Sequence, residues 1–358
     1  IRTIGVEGVA IRTKNVNSDV DFDKKIGKFK ANTPGEWTDF PYNQYQTSLN
    51  EYTWNMDEET ILFKSEKGIK GKFRSVHPEQ DGLNFEGETA YYDLRSNELR
   101  LGGVEYLITA DAFVYPDSGL VAIQSGGEMR TLENARIIAD TLNRNHVINR
   151  ATVNVRGKRN YQAEGYYEYN IGTRGQEIHF QNIVGQPVGR GKISERPSVT
   201  RATGEVAADK DFYIDHKTKF KGTISLNAES KALKFEGFAL LDADKLPYPE
   251  SISVSSEADK NDLIIRYATP KNENGDPLYT GLYLGKESAN IYPAVMQPLT
   301  FRKDRDIFPA AGFFKYIKEK DQFIFGDSTR VVASQVRGNL FTFKNSDGSV
   351  EADGRFNI

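Results

Sequence analysis

Apolar residues two positions apart recur through residues 82–123: Leu83 with Phe85, Leu99 with Leu101, Val121 with Ile123. A strand with one buried face has this period, and a helix does not. Between the pairs lie Ser96-Asn97 and Pro116-Asp117-Ser118-Gly119, whose side chains favour tight turns. The stretch therefore predicts strand-turn-strand units, and an all-β chain follows if the pattern holds elsewhere.

Composition narrows the architecture. The 358 residues suffice for two or three domains or for one elongated repeat structure. Only 38% are hydrophobic, under the usual globular share, which suits a body in which much of each strand faces water. The 47 basic and 50 acidic residues leave a net charge of -3 and form no long run, so no general attraction to nucleic acid is expected. The chain has no cysteine, which excludes disulfides, thiolate metal sites and cysteine nucleophiles. No stretch of eighteen apolar residues is present, so no helical membrane span is expected. Beginning at Ile1 and ending in Gly354-Arg-Phe-Asn-Ile358, both strand-like, the chain reads as a fragment of a longer, processed protein.

Three regions are expected. Residues 1–80 supply N-terminal strands and an aromatic cap, 81–241 a body of repeated β-rungs, and 242–358 a C-terminal β module. Within the first, 14–35 is polar and reads as turn or loop. Residues 36–65 concentrate Trp37, Phe40, Tyr42, Tyr45, Tyr52, Trp54 and Phe63. These rings either plug the end of a β stack or present Trp37, Tyr42, Tyr45 and Trp54 for stacking against sugars. An alternating pair followed by glycine recurs at Leu83–Gly87, Leu99–Gly103 and Leu233–Gly237, and more loosely at Tyr161–Gly165 and, in the C-terminal module, Val350–Gly354. Glycine at the corner of each rung would fold a long ribbon into a V or flattened coil. Residues 185–200 read as the main internal loop, and 242–250, with Pro247 and Pro249, as a linker or cap.

Catalytic signals are sparse. His77, His146, His179 and His216 have no metal-ligand spacing. If the chain cleaved glycosides, Asp111, Asp140 and Glu164 would be the acidic set converging on one face, as in β-helical polysaccharide-cleaving enzymes. No phosphate-binding glycine loop or nucleophile elbow occurs, and no cofactor, metal or catalytic residue is assigned. The positive feature is the alternation itself. Leu83, Phe85, Leu99, Leu101, Leu107, Phe113, Val121, Ile123, Val153, Val155, Phe180, Leu226 and Phe235 would share one interior, either a dry core or an open trough for acyl chains.

The segment Phe85 to Tyr115 carries a further pattern: Ala90-Tyr-Tyr-Asp93, a polar turn, Asn97-Glu-Leu-Arg-Leu-Gly-Gly-Val104, then Ile108-Thr-Ala-Asp-Ala112. It resembles the OstA-like family, which bridges the Gram-negative envelope and carries lipopolysaccharide in a V-shaped β-jellyroll. The resemblance covers these thirty or so residues well and 80–240 loosely. It implies a periplasmic or outer-membrane-associated protein whose partners are lipid, lipopolysaccharide or other envelope proteins, with no catalytic residues to carry over. The expected function is accordingly non-catalytic, an envelope scaffold or lipid-handling β structure. A surface module binding glycan or protein through the aromatic cluster stands beside it, as does the polysaccharide-cleaving enzyme.

Overall fold

The computed structural model describes residues 2–5, 8–33, 35–65, 69–192, 195–246, 248–259, 263–267 and 270–357. Pro247, one of the prolines of the expected linker, lies outside the described residues. The chain is all-β, with large antiparallel sheets, and its one α-helix among the described residues is the single turn Ser328–Val331. It divides into two compact units, Ile1–Tyr167 with His179–Ala202, and Glu168–Ile178 with Thr203–Ile358.

The first unit is built by a chain that visits two sheets in turn. Gly8–Arg12 lies in a long sheet, then Val16–Asp21 and Ile26–Ala31 in a shorter one. Thr38–Phe40 and Tyr45–Thr47 return to the long sheet, and Glu51–Asn55 and Thr60–Lys64 to the short one. Gly71–Ser75 and Asn84–Gly87 are again long-sheet strands, Thr89–Asp93 and Glu98–Gly102 short-sheet strands. After Leu107–Thr109 and Ala112–Tyr115 in the long sheet, Val121–Ile123 closes the short sheet at seven strands. Leu132–Ala139, His146–Gly157 and Asn160–Glu168 extend the long one. These are the stacked antiparallel rungs that the alternation predicts.

The turns repeat as the strands do. Residues 22–25, 41–44, 56–59 and 94–97 are four-residue turns. Each ends on a residue with positive φ: Lys25, Gln44, Glu59 and Asn97, all between 52° and 55°. A left-handed residue at that point returns the chain with the twist the next strand needs. Only Asn97 announces this by residue type. The polar stretch 14–35, read as turn or loop, is therefore largely a hairpin, in register from Val16 opposite Ala31 to Asp21 opposite Ile26. Its polarity reflects its place at the sheet edge, where exposed Asn17, Ser18 and Asp19 discourage further strand pairing.

The recurring glycines do not all sit at corners. Gly87 does, where the chain leaves the long sheet for Thr89–Asp93, and Gly103 leads back out of Glu98–Gly102 with φ of 70°. Gly165 and Gly237 instead lie inside the strands Asn160–Glu168 and Leu233–Leu241.

An aromatic ladder fills one end of the first unit's interior. On the short sheet Phe29 stacks on Tyr52 at 4.7 Å and Tyr52 on Phe63 at 4.9 Å. Phe40, from the facing long sheet, meets Phe63 at 5.2 Å and Tyr92 at 5.4 Å. Burying each such ring stabilises by roughly 1.5–3 kcal/mol, and the contacts across the sheets close this part of the interior.

In the second unit Thr218–Asn227, Leu233–Leu241 and Ser251–Ala258 pair in sequence, without a register shift. Residues 242–250 thus join two neighbouring strands. A five-stranded sheet of Ile265–Tyr267, Gly312–Ile317, Gln322–Gly326, Leu340–Lys344 and Val350–Asp353 follows. A separate three-stranded sheet places Tyr279–Leu284 between Ile291–Gln297 and Arg305–Pro309.

Candidate functional site

Twelve of the thirteen alternating residues are buried: Leu83, Leu99, Leu107, Ile123, Val153 and Phe180 show no exposure, and Phe85, Leu101, Val121, Val155, Leu226 and Phe235 at most 6%. Side chains so enclosed line no accessible trough wall. Leu226 and Phe235 belong to the second unit, where Phe235 meets Tyr169 and Phe220 edge-on.

Phe113 is the exception and a correction. Its neighbours Ala112 and Val114 point inward at 0% exposure, so Phe113 points out of the sheet. There Tyr106 packs edge-on against its ring at 5.2 Å, and the Arg144 guanidinium lies 5.1 Å above it. Alternation alone places Phe113 in the interior, but the strand buries its neighbours Ala112 and Val114 instead.

The proposed sugar-stacking rings do not form an exposed row. Tyr45 is fully buried, its hydroxyl donates to Gln80 Oε1 at 2.8 Å, and burial pushes the phenol well above its ordinary range. Trp54 is half-buried, with its Nε1 enclosed and unpartnered among the described residues, as is the Tyr42 hydroxyl. Trp37 is half-buried beneath the Arg74 guanidinium, 4.9 Å from its ring. The cluster is chiefly packing material.

The acidic set does not converge. Burial raises Asp111, whose carboxylate accepts from the Thr200 hydroxyl. With that proton committed, the Tyr161 hydroxyl donates to Thr200 Oγ1 at 2.9 Å. Burial also pushes Asp140 upward, but the amides of Leu142 and Asn143 and the Asn143 side chain bond its carboxylate and outweigh that, leaving it below the usual range. Both groups thus hold structure together. Glu164 pairs opposite Thr152, while Asp140 follows Ala139, the partner of His146. Six residues of strand, roughly 20 Å at 3.3 Å per residue, separate those levels.

The histidines are likewise scattered. His77 Nδ1 accepts from the Glu79 amide at 3.1 Å, His146 is buried beside Tyr167, and His179 stacks on Tyr166 at 4.6 Å. His216 lies against Gly172, and burial lowers its pKa. No group of three metal-ligating side chains occurs among the described residues. Asn272, in the turn that sequence alone marks by its Asn and Asp residues, spends its Oδ1 on the amides of Asn274 and Asp276.

A feature that alternation does not reveal lies on the outward face of the long sheet. Arginines lie over aromatic rings at three places there: Arg136 over Tyr115 at 4.5 Å, Arg144 over Phe113, and Arg150 over Tyr166 at 4.6 Å. Tyr115 and Arg136 are direct cross-strand partners. Arginine opposite tyrosine is visible in sequence only once the register is known. Compared with protein-family models, curated proteins and solved structures, the chain matches none. No helix among the described residues is long and apolar enough to cross a membrane.

Proposed function

We propose that the chain is a non-catalytic scaffold of the Gram-negative cell envelope, periplasmic or outer-membrane-associated, working through its surfaces and not as a conduit for acyl chains. The observation that carries this choice is the enclosure of twelve of the thirteen alternating residues, which leaves the rungs filled with side chains. Support for the envelope setting comes from the sequence pattern of residues 85–115 and its resemblance to the OstA-like family. The two acidic groups nearest each other, Asp111 and Asp140, are engaged in hydrogen bonds that tie strands and a turn together, which favours a structural role over catalysis.

Native mass spectrometry of the full chain, purified gently from the periplasm of a Gram-negative host, tests the choice. The expected mass is that of the chain alone. A stoichiometric acyl-chain adduct would overturn the scaffold reading in favour of a carrier.

A further inference from the structure

One residue along from the inward row of the long sheet, four strands carry an outward apolar row. Ile108 pairs with Phe113, Phe113 with Ile138, and Ile138 with Val147. Ile108 is 44% and Val147 38% exposed, and Phe113 and Ile138 are half-buried. A row of four apolar side chains on a solvent face is more than the core requires, because the opposite side of each strand supplies that core. Contiguous patches of this kind rimmed by polar groups mark interaction sites.

Two arginines stand beside this row. Arg136 and Arg144 are exposed, lie on the rings of Tyr115 and Phe113, and have no ion pair or side-chain hydrogen bond among the described residues. A guanidinium held over a ring without an ion pair has N–H groups left to bind a phosphate, and its fork fits one bidentately. The nearby carboxylates are bonded to other groups and do not pair with the arginines: Asp140 accepts from the turn amides and Glu133 from the Thr152 hydroxyl at 3.1 Å. The turn that carries Arg144 also projects Leu142, which is 88% exposed. Tyr106, tilted against Tyr115 at 5.7 Å, adds an amphipathic ring.

We propose that this outward face docks on an anionic phospholipid bilayer surface, with Arg136 and Arg144 on headgroup phosphates and the Phe113 row and Leu142 at the acyl boundary. The assignment follows from complementarity, since such a surface offers both a layer of negative charge and an apolar layer beneath it. It rests on the envelope reading above and deepens it by naming the partner of one face.

Co-sedimentation of the full chain with vesicles tests it. The chain is expected to bind phosphatidylcholine vesicles containing phosphatidylglycerol, more weakly as salt rises, and to bind pure phosphatidylcholine vesicles poorly. At about 1 kcal/mol per arginine near the surface, the double variant Arg136→Gln/Arg144→Gln should bind about thirty-fold more weakly. Leu142→Ser should weaken binding without altering its salt dependence. All these side chains point outward, and unchanged thermal unfolding shows that the variants keep the fold. Three results overturn the proposal: no binding of the unaltered chain to the anionic vesicles, equal binding by the double variant, or retention on a heparin column without vesicle binding. The last would direct the face toward a polyanionic polysaccharide or an acidic protein. None of the three bears on the mass of the native chain, which tests the scaffold reading separately.

Discussion

The two faces of four neighbouring strands in the first unit carry equally apolar rows with opposite fates. Leu107, Val114, Ile137 and Ile148 form the inner row, each fully buried. Ile108, Phe113, Ile138 and Val147, each the sequence neighbour of an inner residue, form the outer one. A period of two assigns residues to alternate faces but does not say which face is inside when both are apolar, and a shift of one residue exchanges them. What separates the faces is the rest of each strand. Leu132–Ala139 buries Ala135, Ile137 and Ala139 on one side, and carries Glu133, Arg136 and Ile138 on the other. Charge is excluded from the inner row and tolerated beside the outer one, where the side chains meet solvent.

The largest effect that would break this distinction is at Phe63. Its ring is fully buried between Tyr52 of its own sheet and Phe40 of the facing one. Phe63→Ala should destabilise the first unit by about 3–5 kcal/mol in chemical denaturation. A loss near that of an exposed site would mean that the interior is not closed there.

Much of this inner face was legible in the sequence. Leu83 and Phe85, Leu99 and Leu101, and Val121 and Ile123 are all interior because their strands place polar or small residues between them. Phe113 was not legible, because Ala112-Phe113-Val114-Tyr115 has no charge on either side and ring size argues the wrong way. Nor were the turns at Lys25, Gln44 and Glu59, whose left-handed backbone is dictated by the hairpin and not by residue type. The arginine–aromatic face was invisible for another reason. Tyr115 and Arg136 are far apart in sequence and become neighbours only through the pairing of Ala112–Tyr115 with Leu132–Ala139.

The next effect sharpens the comparison in the second unit, where two glycines face each other across a pair of strands. Gly237 pairs with Gly222, and a Cβ at Gly237 would lie 2.8 Å from the Gly222 Cα and overlap the Lys221 carbonyl oxygen. Gly237→Ala should therefore destabilise by about 1–3 kcal/mol, since backbone cannot yield as a side chain does. A neutral result would show that the two strands lie further apart at this point.

Burial of a charge gives a smaller and pH-dependent effect. Burial pushes the Asp215 carboxyl up to about 6, against hydrogen bonds from the Lys217 amide and Thr218 Oγ1 that favour ionisation. Between about pH 4 and 6 the unfolded chain releases this proton while the folded chain retains it. The folded state then binds more protons, so this group's contribution makes stability fall as pH rises through that window and stay level above it. Because Asp215 keeps part of its surface in contact with solvent, the change is on the order of 1–2 kcal/mol. Denaturation midpoints measured across the window for the native chain and for Asp215→Asn should diverge toward higher pH in favour of the variant. Parallel curves would show that the carboxyl ionises as it does in the unfolded chain.

The smallest effect is the most discriminating, because it compares two adjacent residues of one strand. Phe113→Ala removes an entire ring, yet that ring lies half-buried on an open face against Tyr106 and Arg144. Contacts of those two kinds at exposed sites are each worth about 0.5–1 kcal/mol, so the loss should be close to 1 kcal/mol. Val114→Ala removes only two methyl groups, but from a fully buried position whose partners cannot collapse completely into the space. At about 0.8 kcal/mol per methyl-sized group plus a cavity term, it should destabilise by about 2 kcal/mol. The larger deletion is thus expected to have the smaller effect, and denaturation of the two variants side by side decides it. The reverse order would place Phe113 inside and Val114 outside, exchanging the two faces of the strand and removing the outward row on which vesicle docking depends.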